Sequence, residues 1–220
     1  PMTGVVSKAQ MNDQGNVRMQ LKSGESIILR TFDEPQTVSV KAHTYYNALE
    51  YRATALKGWT LSFKQSAPVA IEKTWQLAEP KSWTELGDQL LNETMATCVY
   101  TTSIRMHKIQ PQSAFILDLG DVRETAHVIS NGREAGTLFA VPYRWDITPY
   151  LKEGDNKIEI EVANLPANRI AKLDRDGVQW RKFKEINVVD INYKKTLYDA
   201  WSPVPSGLCS PVKIIHATVE

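Results

Sequence analysis

The chain has 220 residues, with 26 Lys and Arg against 25 Asp and Glu, 42% apolar residues and 23% charged ones. This balance excludes a wholly disordered chain, and a net charge of +1 supplies no large field for nucleic acid or an anionic membrane. No apolar run reaches the roughly 18 residues that span a bilayer, and the length suits one large β domain, or a domain of roughly 150 residues with a smaller piece. The first residues, Pro1 to Val6, show no basic region followed by an apolar stretch. The chain starts with Pro, so it is expected to be processed or cut from something longer.

In chain order, the first expected element is a hairpin. Val17 to Leu21 alternates apolar and polar residues, Lys22-Ser23-Gly24-Glu25 reads as a turn, and Ser26 to Phe32 reads as the returning strand. Thr37 to Lys41 suggests a third strand. Tyr45 to Leu56 is ambiguous, because Tyr46, Leu49 and Ala53 have helical spacing without a clear cap. The pattern restarts at Gly58, where Trp59 to Phe63 alternates large apolar with small polar residues. Lys73 to Leu77 suggests a further strand. Ser82 is placed to cap a short helical piece, with Glu85 three residues on.

Ala96 to Met106 is a long predicted strand with Cys98, Tyr100, Thr102, Ile104 and Met106 on one face, and Ala114 to Leu119 is a short one. Asn131-Gly132 joins Ala126–Ser130 to Arg133–Phe139, and two residues that tolerate positive φ are the strongest short hairpin signal. Tyr143 to Ile147 follows. After the Lys152–Asn156 turn, Lys157 to Ala163 sets Ile158, Ile160 and Val162 inward against Lys157, Glu159 and Glu161. Asn164 to Tyr198 reads as a long polar excursion, regular only over Asn187–Tyr193. Pro211 to Val219 closes the chain as a strand. Many short antiparallel strands predict an all-β sandwich or jelly roll, with Trp59, Phe63, Tyr100, Ile104, Leu117, Ile158 and Ile160 in its core.

Chemical signatures are sparse. The sequence has no Gly-x-Ser-x-Gly, phosphate-binding loop, His-Glu-x-x-His or Gly-x-Gly-x-x-Gly motif. The histidines His43, His107, His127 and His216 are scattered and read as structural or solvated. Cys98 and Cys209 form no Cys-x-x-Cys. Cys98 lies among β-formers and is expected as a buried free thiol, with a Cys98–Cys209 bridge as the alternative. Asp174-Arg175-Asp176-Gly177 resembles the end of a calcium loop, but Lys172 and Phe183 stand where ligands belong. No cofactor or metal is therefore expected. Asn92-Glu93-Thr94 fits a glycosylation acceptor. A glycosidase needs two acids about 5 to 10 Å apart. Asp146, Asp174, Asp176 and Asp199 are candidates, but the sequence brings no two of them together. Trp180, Trp201 and Tyr198 fall in the irregular region beside Arg169, Asp174, Arg175 and Arg181. Aromatic faces there could stack on sugar rings, or the tryptophans could pin the loop to the sandwich.

The ordered set Leu117–Val122, Ser130-Asn131-Gly132, Gly136–Phe139, Pro142–Thr148, Gly154-Asp155-Asn156, Ile158–Val162, Asn164-Leu165, Asn168-Arg169, Pro205–Leu208 and Pro211-Val212 resembles the C-terminal sugar-binding-like jelly roll of large bacterial glycoside hydrolases. It is most similar to the family 106 α-L-rhamnosidase type, which is related to the sugar-binding domain of family 2 glycosidases. Trp59–Phe63 and Ser82-Trp83-Thr84 extend the resemblance over residues 58–220. Residues 1–57 resemble the tail of a preceding domain, here a small β unit. Two departures stand out: Asn92 to Thr97 replaces a Phe-Ser-Gly-Thr-Ala-type segment, and Ser210 stands where similar modules carry Gly.

The resemblance implies a galactose-binding-like β-sandwich from a secreted or periplasmic polysaccharide-degrading enzyme. It implies partners in carbohydrate, rhamnose-containing sugars among the candidates, and in the catalytic domain of a parent chain. It carries over no catalytic residue. The expected function is a non-catalytic carbohydrate-binding or substrate-positioning module, with Tyr143, Arg169, Trp180 and Trp201 as candidate binding residues. A purely structural buttress and a free-standing glycosidase are the alternatives.

Overall fold

The computed structural model describes residues 3–34, 39–48, 52–181 and 196–220. In chain order its strands are β1 (Tyr46–Ala48), β2 (Thr54–Ala55), β3 (Trp59–Ala67), β4 (Trp75–Leu77), β5 (Met95–Met106), β6 (Ser113–Asp118), β7 (Val122–Arg123), β8 (Thr125–Ser130), β9 (Arg133–Leu138), β10 (Arg144–Asp146), β11 (Gly154–Ala163), β12 (Gly207–Leu208) and β13 (Lys213–Val219), with one α-helix, α1 (Ala167–Arg175), before β12. They form an antiparallel β-sandwich. One sheet runs β4-β3-β5-β11-β8-β9 and the other β1-β13-β6-β10, with β2 sharing the outer edge of β13; β7 and β12 pair separately.

The centre of the larger sheet follows from the period of two. Ile158, Ile160 and Val162 of β11 and Cys98 and Tyr100 of β5 are fully buried, and Ile160 stands opposite Tyr100. On the other face Lys157 and Glu159 pair at 2.7 Å, as do Lys64 and Glu161. The core lies between the sheets, where Trp59 and Tyr100 meet edge to face at 6.5 Å and Leu117 is fully buried. Phe63 and Ile104 are only partly buried. Phe63 lies edge-on to both Trp75 and Trp83, and the register of β3 shifts just after it, between Phe63 and Gln65.

The Asn131-Gly132 hairpin forms between β8 and β9, with φ of 54° and 75°. Asn131 also ties the hairpin down: its Nδ2 donates to Tyr150 O at 2.9 Å and Asn156 Oδ1 at 2.8 Å, while its Oδ1 accepts from Lys157 N at 3.1 Å. Ser82 caps the short 3-10 turn Trp83–Glu85.

The N-terminal stretch and the excursion after Asn164 depart from expectation. Residues 17–32 form no hairpin ladder: the isolated bridge Met11–Val17 reaches their first residue, and the other isolated bridge, Lys8–Ala42, lies outside them. The 22–25 turn itself is made, with Glu25 N donating to Lys22 O at 3.0 Å. Its flanks have no sheet to cover them, and Ile28 is 78% exposed; an isolated two-stranded ribbon is marginal in water. Within the ambiguous 45–56 stretch, Tyr46–Ala48 and Thr54–Ala55 form β1 and β2 along the free edge of β13, which offers backbone partners, while Leu49 to Tyr51 lie outside the described residues. The long excursion after Asn164 contains α1. Its start carries no capping side chain, Pro166 standing at the cap, and its buried face is Asn168 and Ala171 rather than a run of large apolar residues. The Asn187–Tyr193 segment, Phe183, Leu49 and part of the Thr37–Lys41 segment lie outside the described residues.

Candidate functional site

Asp174, near the end of α1, organises the aromatic cluster. Its Oδ1 accepts the Trp180 indole N–H at 2.7 Å and its Oδ2 accepts the Tyr198 backbone N–H at 2.9 Å. Arg181 approaches Oδ2 at 3.9 Å, the two side chains being 3% and 16% exposed for Asp174 and Arg181. The Arg181 guanidinium carbon lies 4.6 Å from the Trp180 ring centre and 5.5 Å from that of Tyr198, and its Nη2 donates to Thr196 O at 2.6 Å. Tyr198 meets Trp201 edge-on at 4.7 Å, and Trp201 is 49% exposed. A buried carboxylate thus holds an aromatic–guanidinium stack with one indole left at the surface.

The structure brings Trp180 and Trp201 into this one cluster. Arg169 shares α1 with Asp174 but lies five residues earlier, about 140° round the helix. Tyr143 sits apart, between β9 and β10, 7% exposed, its hydroxyl donating to Glu124 O at 2.6 Å. Burial, and then the Glu124 carboxylate, push its phenol pKa upward. It lines an open cleft of about 430 Å³ with Asp121, Arg123, Glu124 and Val141. There the Arg123 fork grips Asp121 at 2.8 and 3.0 Å. Ser210 accepts the Asp121 N–H at 2.7 Å. Gly120, at φ +64°, carries the left-handed backbone angle beside it, and a Cβ there would strike Ser210 Oγ. The Ser210 departure is accommodated in this way.

Both features lie at one end of the larger sheet. Ala163, the last residue of β11, faces Thr125 and Thr97, its carbonyl accepts from Glu124 N, and Asn164 Oδ1 accepts from Ala96 N. The Asn131-Gly132 tip is at the other end.

The four candidate acids have local partners. Asp146 accepts from Tyr46 Oη at 2.7 Å and Thr148 N at 2.9 Å, Asp176 meets Lys172 at 2.5 Å, and Asp199 accepts from Ala200 N at 2.9 Å. Asp174-Arg175-Asp176 closes a helix rather than a calcium loop. Among the described residues, no three His, Cys, Asp or Glu side chains are grouped to hold a metal ion. Both cysteines are free, Cys98 fully buried. From the sequence Asp174 stands out as a candidate acid, as part of a calcium-loop-like run and as a neighbour of the aromatics. Its anchoring role and the whole contribution of Asn168 were missed, because the helix that displays them was not read.

This architecture is that of a galactose-binding-like β-sandwich. Residues 83–202 match the family described as glycosyl hydrolase 2 galactose-binding domain-like, and the chain belongs to that family. A Formosa agariphila protein provisionally named a beta-glucuronidase is 27% identical over an alignment of 203 residues that covers 77% of this chain and 18% of that protein. A rhamnosidase from Novosphingobium sp. PP1Y has the same fold, with a TM-score of 0.58, 24% identity, and coverage of 83% of this chain and 16% of that one. The Bifidobacterium dentium beta-glucuronidase solved with coumarin-3-O-glucuronide gives a TM-score of 0.51 at 18% identity, over 84% of this chain and 31% of that one. The chain therefore spans under a fifth of the Formosa and Novosphingobium proteins.

Proposed function

We propose that this chain is a non-catalytic carbohydrate-binding or substrate-positioning module of a glycoside hydrolase acting outside the cytoplasm. The observation that carries this reading is the half-exposed Trp201, buttressed by Tyr198 and the Arg181–Trp180 stack, on a fold of the galactose-binding-like family. A sugar ring rests its C–H face on the indole, while polar groups at the same end of the sandwich, Arg169 and the Tyr143 cleft included, meet hydroxyls. Rhamnose-containing oligosaccharides are the first ligands to try, since the fold is shared with a rhamnosidase. On this reading the arm at residues 5–32 belongs with a domain preceding the sandwich, while β1, β2 and the core residue Leu56 join the sandwich itself.

One stacked ring leaves little affinity after the cost of association, so binding near the roughly millimolar level is expected. An NMR titration with rhamnose-containing oligosaccharides tests this. Shifts should centre on Trp201 and Tyr198 and vanish in Trp201→Ala, whereas shifts confined to the Asn131-Gly132 end refute the site. Hydrolysis of an aryl rhamnoside or aryl glucuronide that disappears with a single Asp→Asn change overturns the non-catalytic assignment.

A second reading, a structural buttress, draws on the arm at residues 5–32. Val5, Met11, Met19, Ile28 and Phe32 are exposed there, and the arm continues to Val141, which packs at Gly24. Apolar surface of this kind suits burial against another domain. A titration with no response to any oligosaccharide favours this reading.

A further inference from the structure

The segment that carries Trp201 is held at both ends by one helix. At one end Asn168 grips Val204 with both ends of its amide, Oδ1 accepting from Val204 N at 2.7 Å and Nδ2 donating to Val204 O at 2.9 Å, and Nδ2 also reaches Ser206 Oγ at 3.4 Å. This is the pairing a neighbouring strand would offer, made by a side chain that is 3% exposed. Just beyond, Ser206 is fastened to the core. Its N–H donates to Ser82 Oγ at 2.9 Å, its carbonyl accepts from Trp83 N at 3.1 Å, and its Oγ accepts from Asn164 Nδ2 at 3.0 Å. At the other end Asp174 Oδ2 accepts the Tyr198 N–H at 2.9 Å.

The two anchors stand six residues apart on α1, about 9 Å along its axis. The six steps from Tyr198 to Val204 would reach roughly 20 Å if extended. A segment twice as long as the gap between its anchors cannot run straight between them, and the midpoint of its bow is the half-exposed Trp201. The bow is closed by Trp201 N donating to Tyr198 O at 3.1 Å. The half-exposed Trp201 thus lies midway between two points fixed on the same helix.

We propose that Asn168 is a positioning residue of the Trp201 surface, acting with Asp174 to hold the indole outward and so to set the affinity of that surface for sugar. This rests on the reading of Trp201 as the sugar platform. A platform fixed before binding loses less conformational freedom on association, which matters most where affinity is weak.

The test compares the wild-type chain with Asn168→Ala by ¹⁵N-indole NMR and by titration with the same rhamnose-containing oligosaccharides. The Trp201 indole signal should shift and gain fast motion, while those of Trp59 and Trp83 stay in place, and the dissociation constant should rise roughly tenfold. An unchanged Trp201 signal, or an unchanged dissociation constant, overturns the proposal. If the Trp59 and Trp83 signals collapse, Asp174→Ala releases the other anchor and is held to the same criteria. If the wild type binds no oligosaccharide while Trp201 loosens in the variant, the sugar reading falls and the clamp stands.

Discussion

Gly207 has little freedom to change. It adopts φ +92°, and a Cβ there would overlap Tyr100 Oη and press within 2.9 Å of the Trp83 ring. Gly207→Ala combines left-handed strain with overpacking and is expected to cost about 3 kcal/mol; a change under about 1 kcal/mol in urea unfolding would show that the backbone yields instead. Beside it, burial and then the Asp121 carboxylate push the Cys209 thiol up from 9.0 to about 11. Burial also raises Cys98 and Tyr100. In each case the folded state holds a proton that the unfolded chain releases earlier. The contribution is therefore complete below about pH 9 and falls as pH rises toward 11. Urea midpoints should decline across that window, less steeply in Cys209→Ser, and a rising midpoint would contradict the assignment. The Asn92-Glu93-Thr94 triplet meets a third constraint: Thr94 is fully buried and its hydroxyl donates to Leu90 O at 2.6 Å. Expression through a glycosylating secretory pathway should add no glycan at Asn92, as intact mass will show.

β11 is the element on which the sandwich depends most, since it pairs with β5 along its whole length and with β8 on its other edge. Ile160→Ala should cost about 2–5 kcal/mol, and a variant that melts like the parent would mean that the strand faces the other way. β11, β5 and the Asn131-Gly132 hairpin were legible because a period of two and a turn needing positive φ are local signals. Residues 17–32 carry the same signal and form no ladder, because alternation states only that a strand could bury one face and says nothing of whether a sheet is there to receive it. Hydrogen exchange checks this: Ile27 to Thr31 amides should exchange at nearly unprotected rates while those of β11 persist. α1 was illegible for the opposite reason. Its buried face is an amide and a methyl group, Asn168 and Ala171, so no apolar stripe announces it. Half the candidate site was hidden with it: Trp180 and Trp201 can be suspected as aromatics in a loop, but the carboxylate and amide that fix them point inward from a helix with no visible beginning.

For the molecule as a whole, the two ends of the sandwich differ in kind. One is a tight hairpin fastened by Asn131, while the other gathers the Tyr143 cleft, α1 and the Trp201 bow around the last residue of β11. The smaller sheet has its own peculiarity. Its strand β13, at the end of the described chain, lies inside the sheet, with β6 on one edge and β1 and β2 on the other. Polypeptides emerge from the N-terminus at about 5–20 residues per second, and β13 follows β6 by roughly 95 residues, so β6 waits roughly 5–20 s for its neighbour. Through that interval it offers an unpaired edge to any other nascent strand. The yield of correctly folded chains should therefore be governed less by the strength of the finished core than by how well that edge is kept apart during synthesis, and slowing translation after residue 118 should lower it.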